Sequence, residues 1–178
     1  MEDRKLSAQL SSWALDVAQL CQRALRSSGN GEPSYRIAAI KVACSLAIAS
    51  RNAFLKTRDH LSGSALFVLK GALEDRAIFE MVKVLKIAAQ DKYPEVRSLA
   101  ARLACLLGPV AINVHLKSPS SPDAQATSPT SCLEELMTLA FKNLDDESVH
   151  VSEGWAEALA RCMCTTIELA GSDKDGGS

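Results

Sequence analysis

Aromatic side chains are scarce in this 178-residue chain, at 4% of the residues, although apolar residues make up 47%. β-Strands favour aromatic and β-branched residues, whereas Ala and Leu are good helix formers. The scarcity of aromatics therefore argues against a β fold, and the apolar content is sufficient for a continuous core. The composition predicts an all-α protein whose core consists of Ala, Leu, Val and Ile.

Charge of one sign is not in excess, since 20 basic and 21 acidic residues give a net charge of -1. Nucleic acids and anionic membranes attract proteins through a strong positive field, which this composition does not supply. The basic residues of one stretch could still line an edge, but a solvated face explains them better. These residues are Arg36, Lys41, Arg51, Lys56 and Arg58. We expect no nucleic-acid partner.

Long apolar runs are also missing: no uncharged run reaches the roughly 18–20 residues that a membrane span needs. The start of the chain, Met1-Glu-Asp-Arg-Lys, lacks the apolar segment of a secretion signal. Most of the cysteines lie in or beside apolar helical runs, as expected of reduced thiols that pack as small hydrophobes. The six are Cys21, Cys44, Cys105, Cys132, Cys162 and Cys164. We expect a soluble, cytoplasmic protein without direct membrane insertion.

Signatures of catalysis and ligand binding are equally absent from the sequence. On a helix, Cys162 and Cys164 would point about 200° apart, which suits a shared metal ion poorly. His60, His115 and His150 lie in or beside predicted turns and loops, without a partner that would make a cysteine nucleophilic. No glycine-rich phosphate-binding motif follows a strand. We predict no catalytic residue, no cofactor, no metal and no small-molecule substrate.

Helical periodicity is what the sequence does contain, because apolar residues recur at spacings of three and four. The predicted helices cover residues 6–26, 33–50, 62–72, 76–90, 132–142 and 149–169, with a further helix opened by Pro94. Gly108-Pro109 is predicted to end or kink that helix. Residues 52–60 are polar and are predicted to form an irregular connection. Asp145 and Asp146 fit a helix cap or a solvated turn.

Residues 117–131 form a run of Ser, Pro, Ala and Thr without periodicity or large apolar side chains. Such a run buries too little surface to offset the entropy of ordering it, so we predict a disordered insertion. Ser118, Ser121 and Ser128 each precede a proline and are candidate phosphorylation sites. Residues 171–178 are predicted to be a disordered tail.

An internal repeat is the most informative pattern in the chain. Pro33-Ser-Tyr-Arg-Ile-Ala-Ala-Ile-Lys-Val-Ala-Cys44 and Pro94-Glu-Val-Arg-Ser-Leu-Ala-Ala-Arg-Leu-Ala-Cys105 match at Pro, Arg, Cys and several Ala positions. A weaker third copy begins at Glu147, lacks the proline and is predicted to carry His150 in place of the arginine. Each copy opens a helix that follows a turn, which predicts three helix–turn–helix units.

These units resemble the HEAT repeat, in which a turn of the type Asp-x-x-Pro-x-Val-Arg joins two helices; Asp91-Lys-Tyr-Pro-Glu-Val-Arg97 is a good instance. The resemblance implies an all-α fold, an α-solenoid of about three irregular HEAT-like repeats. Residues 1–116 would hold two repeats and residues 132–170 the third. The step from Pro33 to Pro94 is 61 residues (94 − 33), longer than the usual roughly 40–47, and the predicted helix at 62–72 would account for the excess.

A HEAT-type fold implies a non-catalytic scaffold that binds other proteins. Arg36 and Arg97 are candidates for partner binding or for a structural role in the turns. The run Cys132-Leu-Glu-Glu-Leu-Met-Thr-Leu-Ala-Phe-Lys-Asn-Leu-Asp-Asp-Glu-Ser-Val149 resembles a repeat of the large HEAT-repeat-containing protein five family, SWEETIE in plants. This resemblance implies clathrin-adaptor partners at endosome and Golgi membranes. Scaffolds in nuclear transport, translation or phosphatase assembly remain alternatives, as do a self-associating helical bundle and an enzyme.

Overall fold

A computed structural model describes residues 2–27, 33–59, 75–117 and 132–172 of the chain. These residues form six α-helices and no β-strand, which confirms the predicted all-α class. The helices are α1 (Glu2–Ser27), α2 (Pro33–Asp59), α3 (Asp75–Ala89), α4 (Pro94–Lys117), α5 (Cys132–Lys142) and α6 (Val149–Ser172). None of them combines the length and the apolarity needed to cross a membrane.

The six helices form three consecutive pairs and two layers. Within a pair, α1 packs on α2, α3 on α4, and α5 on α6. One layer contains α1, α3 and α5, the other α2, α4 and α6, and α4 and α6 share the most extensive contact. Among the described residues, the first pair makes no contact with the third. We refer to the contact between the first and second pairs as the first junction, and to that between the second and third pairs as the second junction.

A single large apolar cluster extends through both junctions and is rich in alanine. Small side chains let helices approach closely, and two glycines mark the closest approach of α4 to α6. A Cβ atom added at Gly154 would lie 2.9 Å from Ala101 Cβ, and one added at Gly108 would lie 2.5 Å from Cys162 Sγ. Both distances are shorter than carbon and sulfur atoms tolerate, so glycine is required by space at these positions.

The predicted end of α2 is wrong, and of the end or kink predicted at Gly108-Pro109 the structure shows that the helix does not end there. α2 continues to Asp59, through the residues predicted to be irregular. That stretch is polar but contains neither glycine nor proline, and polarity alone does not break a helix. α4 likewise continues through Gly108 and Pro109 to Lys117. Proline removes one backbone donor, but Ala111 beyond it is fully buried, so packing holds the helix together past the lost hydrogen bond.

The other limits agree more closely with the sequence. α5 has the bounds predicted for it, and α6 extends past its predicted end to Ser172, which includes the first two residues of the predicted tail. The predicted helix at 62–72 and the predicted disorder at 118–131 and 173–178 lie outside the described residues.

Much of the buried face of α1 consists of small side chains, and some of its large apolar side chains are exposed. Ala14, Ala18 and Cys21 face the core, whereas Trp13 and Leu20, which continue the spacing of three and four residues through Val17, are exposed. The apolar face of α1 is therefore wider than the surface that α2 and α3 cover.

Candidate functional site

The turn before α4 joins the first two helix pairs through an ion pair. Asp91 lies in this turn, and its Oδ1 accepts a hydrogen bond from the backbone N–H of Tyr93 at 3.0 Å. Its other oxygen, Oδ2, accepts one from Nη1 of Arg36, in the first turn of α2, at 2.6 Å. The carboxylate thus fixes its own turn and binds the neighbouring helix pair at the same time.

The turn before α6 repeats this arrangement at the second junction. Asp146 Oδ1 accepts a hydrogen bond from the N–H of Ser148 at 2.9 Å. Both of its oxygens are bound by Arg97 of α4, Nε to Oδ2 at 2.7 Å and Nη2 to Oδ1 at 2.9 Å. Nη1 of Arg97 also donates to the carbonyl oxygen of Asp91 at 2.9 Å. Arg97 therefore connects its own turn to the following one.

The charges of the second pair stabilise each other. The hydrogen bond from Arg97 lowers the pKa of Asp146 below its ordinary value, and the same hydrogen bond raises the pKa of Arg97. Both groups therefore stay ionised at neutral pH. A planar guanidinium suits this two-pronged contact with a carboxylate, which a lysine would not reproduce.

A thiol contact also recurs at both junctions. Cys44 Sγ of α2 lies 3.9 Å from the carbonyl oxygen of Leu99, and Cys105 Sγ of α4 lies 3.8 Å from that of Gly154. The arginine–aspartate and thiol–carbonyl contacts both span 55 residues at the first junction and both span 49 at the second. The two junctions are therefore built in the same register.

That register corrects the predicted alignment of the third repeat. Asp91 and Asp146 each lie three residues before the start of a helix and make the same turn contact. The residue equivalent to Arg97 is therefore Ser152, and His150 does not take the arginine's place. An alignment that places His150 at the arginine position also matches Val149 to Val96. In the structure, however, Val149 is exposed and Val151 is the fully buried equivalent of Val96.

Arg36 and Arg97, the predicted candidates for partner binding or turn structure, both lie inside the junctions. Only 12% of the Arg36 side chain and 16% of the Arg97 side chain are exposed. Their aspartate partners were not assigned from the sequence. The signal that could have found them is an aspartate three residues before each of the two helix starts, at 91 and 146.

The buried cysteines are not arranged for catalysis. Burial raises the pKa of the Cys44 and Cys105 thiols to about 11 and also raises the pKa of Cys21 and Cys162. These thiols stay protonated at neutral pH, and a nucleophilic cysteine needs the opposite shift. Cys164, by contrast, is exposed.

Metal binding finds no support in the described ranges, where no group of three or more His, Cys, Asp or Glu side chains is placed to hold an ion. Cys162 is buried while Cys164 is exposed, so the two thiols lie on different faces of α6. His150 is exposed, with Nδ1 3.8 Å from Glu153 Oε2. His115 lies within α4, which corrects its predicted place in or beside a loop, because α4 continues past Pro109. His60 lies outside the described residues.

Exposed charges mark the outer surface of the layer formed by α2, α4 and α6. Lys41, Arg102 and Glu157 occupy the same register position on these helices, and all three are exposed. They lie near the junctions, since the charge of Arg102 acts on the Cys44 thiol and that of Glu157 on the Cys105 thiol. This row, which we call the outer row, is the candidate surface for a protein partner.

The candidate phosphorylation sites Ser118, Ser121 and Ser128 lie outside the described residues.

Comparison with protein-family models finds no match to the chain. Comparisons with curated proteins and with solved structures find no match either.

Proposed function

We propose that this chain is a non-catalytic scaffold for binding other proteins, built as a short α-solenoid of three HEAT-like helix pairs. The observation that supports it most is the recurrence of the same two contacts at both junctions, an arginine–aspartate pair and a thiol–carbonyl contact. Repeat proteins stack units that contact only their neighbours, and in the part of this chain that the structure describes the first and third pairs are not in contact.

Partner binding in this proposal uses the layer of α2, α4 and α6. Its outer row carries Lys41 and Arg102 on consecutive helices, followed by Glu157. Two exposed basic side chains beside an acidic one fit a partner whose contact surface is mainly acidic. Arg36 and Arg97 stabilise the junctions beneath this row, and their contribution to binding is structural.

The test of this surface is charge reversal with a matched control. The variant Lys41→Glu/Arg102→Glu changes the outer row, and Arg23→Glu/Lys142→Glu makes the same change in net charge on exposed residues of α1 and α5. Partners would be identified by affinity purification of the parent protein, meaning the protein that contains this chain, followed by mass spectrometry. We expect the outer-row variant alone to lose a partner. Equal effects of the two variants would contradict a binding surface on this layer.

The class of partner comes from the resemblance of residues 132–149 to the large HEAT-repeat-containing protein five family. It implies clathrin-adaptor complexes and a cytoplasmic location, peripheral to endosome or Golgi membranes. Deletion of residues 2–172 from the parent protein is expected to remove adaptor or endosomal partners from the purified set. Loss of importin cargo, ribosomes or a phosphatase would instead assign the scaffold to another process. An unchanged partner list would reduce the segment to a spacer.

A further inference from the structure

The side of α2 that faces away from α4 exposes positions that are buried in the other helices of its layer. Tyr35 is 72% exposed, whereas its equivalents, Val96 of α4 and Val151 of α6, are fully buried. Two turns further, Val42 is exposed while its equivalent Leu103 is fully buried. On α4 and α6 this side packs on the preceding helix of the layer. Among the described residues, no helix precedes α2 in this layer, and we call its surface of Tyr35, Ala38 and Val42 the N-terminal end face.

The side of α6 that faces away from α4 also exposes positions that are buried on α4. On α4, Ala101 and Cys105 are buried at the second junction, where Ala101 meets Gly154. Their equivalents on α6, Ala156 and Ala160, are exposed.

This exposed side of α6 continues along the helix. Met163, the equivalent of Gly108, is 59% exposed, and Ile167, one turn further, is 69% exposed. Large apolar side chains at that level of exposure leave favourable burial unused. We call the surface of Ala156, Ala160 and Met163 the C-terminal end face.

We propose that these two end faces bind each other, so that two copies of the chain stack head to tail with α6 of one copy on α2 of the next. Within one chain, the same two kinds of face already meet twice, α2 on α4 and α4 on α6. The stacked contact continues this register: Ala160 takes the place of Cys105, and Ala38 of the next copy takes that of Gly154. The proposal does not depend on the partner class given above.

Charges at the rim of the stacked contact are compatible with this arrangement. Lys41 of one copy and Glu157 of the other hold equivalent positions and carry opposite charges. The arginine–aspartate pair, however, does not continue, because Ser152 stands where α2 and α4 carry an arginine. We therefore expect an apolar contact that is weaker than the internal junctions and depends little on salt.

The test is sedimentation velocity of the full chain over about two orders of magnitude in concentration. The wild-type chain is expected to shift to larger species as concentration rises. Val42→Glu and Met163→Glu each place a charge on one end face, at an exposed position, so circular dichroism should remain unchanged. Each variant alone is expected to stay monomeric. Gln90→Glu, an exposed change in the middle pair, is the control and is expected to associate like the wild type.

Mixing the two variants distinguishes a head-to-tail contact from a symmetric one. Val42→Glu keeps its C-terminal end face and Met163→Glu keeps its N-terminal end face, so the mixture is expected to form a 1:1 dimer that does not grow further. A wild-type chain that stays monomeric at every concentration would overturn the proposal. So would a mixture that remains monomeric, or a single variant that still dimerises.

Cross-linking tests the register of the stack. In a Cys164→Ala background, Ala160→Cys and Ala38→Cys variants are mixed and treated with a chemical oxidant, which takes up the two electrons and two protons lost by the thiols. A disulfide-linked dimer is expected in the mixture and in neither variant alone. Equal cross-linking of Ala160→Cys with itself would contradict the head-to-tail register.

Discussion

At the first junction, α1 packs on α3 about as extensively as α2 packs on α4; at the second, most of the contact lies between α4 and α6, and α5 adds smaller contacts with α3 and α4. Polar contacts also link the layer of α1, α3 and α5: Gln22 Nε2 donates to Glu80 Oε2 at 2.6 Å and to the Glu80 carbonyl oxygen at 3.0 Å, and Lys86 Nζ lies 2.9 Å from Glu135 Oε2. The register of the arginine–aspartate and thiol–carbonyl contacts is thus the same at both junctions, although the apolar packing is distributed differently.

The difference in packing between the two junctions indicates that the polar contacts and the apolar packing have separate roles. Arginine–aspartate and thiol–carbonyl contacts are directional, so they fix which residues face each other. Apolar packing supplies most of the free energy and adapts to the available side chains. At the second junction, Gly108 and Gly154 bring α4 and α6 together, and Trp155 fills core volume where the equivalent residues of α2 and α4 are Ala39 and Ala100.

The largest effect is expected from Trp155→Ala. Trp155 is fully buried and belongs to the common core cluster. Its truncation leaves a large cavity and should lower the free energy of unfolding by about 3–5 kcal/mol. Urea unfolding followed by circular dichroism measures this change. If the loss is no larger than that of an exposed substitution such as Thr138→Ala, Trp155 does not anchor the second junction.

Trp155→Phe separates the volume of the side chain from its polar group. Among the described residues, Trp155 Nε1 has no hydrogen-bond partner, so the indole N–H carries an uncompensated desolvation cost. Removing that N–H offsets part of the lost packing, and we expect a change within about 1 kcal/mol of wild type. A loss comparable to that of Trp155→Ala would show that the N–H is stabilising.

The second prediction compares the ion pair with its immediate neighbour in sequence. Asp146→Asn leaves Arg97 partly buried without its carboxylate and should cost about 2 kcal/mol, less than a fully buried pair because both groups retain some exposure. Asp145→Asn makes the same change of charge at an exposed position and should cost almost nothing. Equal losses in the two variants would place the effect in net charge and not in the Arg97 contact.

The stability difference between wild type and Asp146→Asn depends on pH because the pKa of Asp146 is lowered. Because the folded-state pKa is below that of the unfolded chain, about 3.9, the stabilisation is complete above that value and is lost as the pH falls through the folded-state pKa. The stability gap between wild type and Asp146→Asn should therefore be constant near neutral pH and shrink below about pH 4. Urea titrations at several pH values measure it.

Much of this architecture could be predicted from the sequence, because helical periodicity and the repeated Pro and Arg positions are local patterns. The all-α class and the limits of α5 follow from them. The continuation of α4 through Pro109 could not, since it depends on packing around Ala111. The partners of Arg36 and Arg97 are 55 and 49 residues away, and a local pattern does not reveal which acidic residue reaches each arginine.

The third prediction concerns the thiols that both junctions share. Burial raises the pKa of Cys44 and Cys105 to about 11, from an ordinary value near 9. The unfolded chain therefore loses these protons first, and their contribution to stability falls above about pH 9 and is lost as the pH rises through 11. The slope is at most about 1.4 kcal/mol per pH unit for each thiol.

Replacing the two thiols tests this account. Cys44→Ala/Cys105→Ala should unfold with a shallower alkaline slope than wild type, whatever its stability at pH 7. Cys164→Ala removes an exposed thiol and should leave the slope unchanged. Denaturant midpoints measured between about pH 8 and 10.5 give the slopes. Identical slopes for all three proteins would mean that thiol ionisation does not weaken the junctions.

The smallest effect is expected at Gly154, where helix propensity and packing oppose each other. Gly154→Ala gains up to about 1 kcal/mol of helix propensity but places a Cβ 2.9 Å from Ala101 Cβ, and overpacking costs about 1–3 kcal/mol, so a net loss of about 1 kcal/mol is expected. The exchange Ala101→Gly/Gly154→Ala moves the methyl group to the other helix and should recover most of the loss. Because the two propensity changes cancel, a double variant less stable than Gly154→Ala would show that close approach of α4 and α6 is not what requires the glycine. Thermal unfolding of the two variants beside wild type decides between these outcomes.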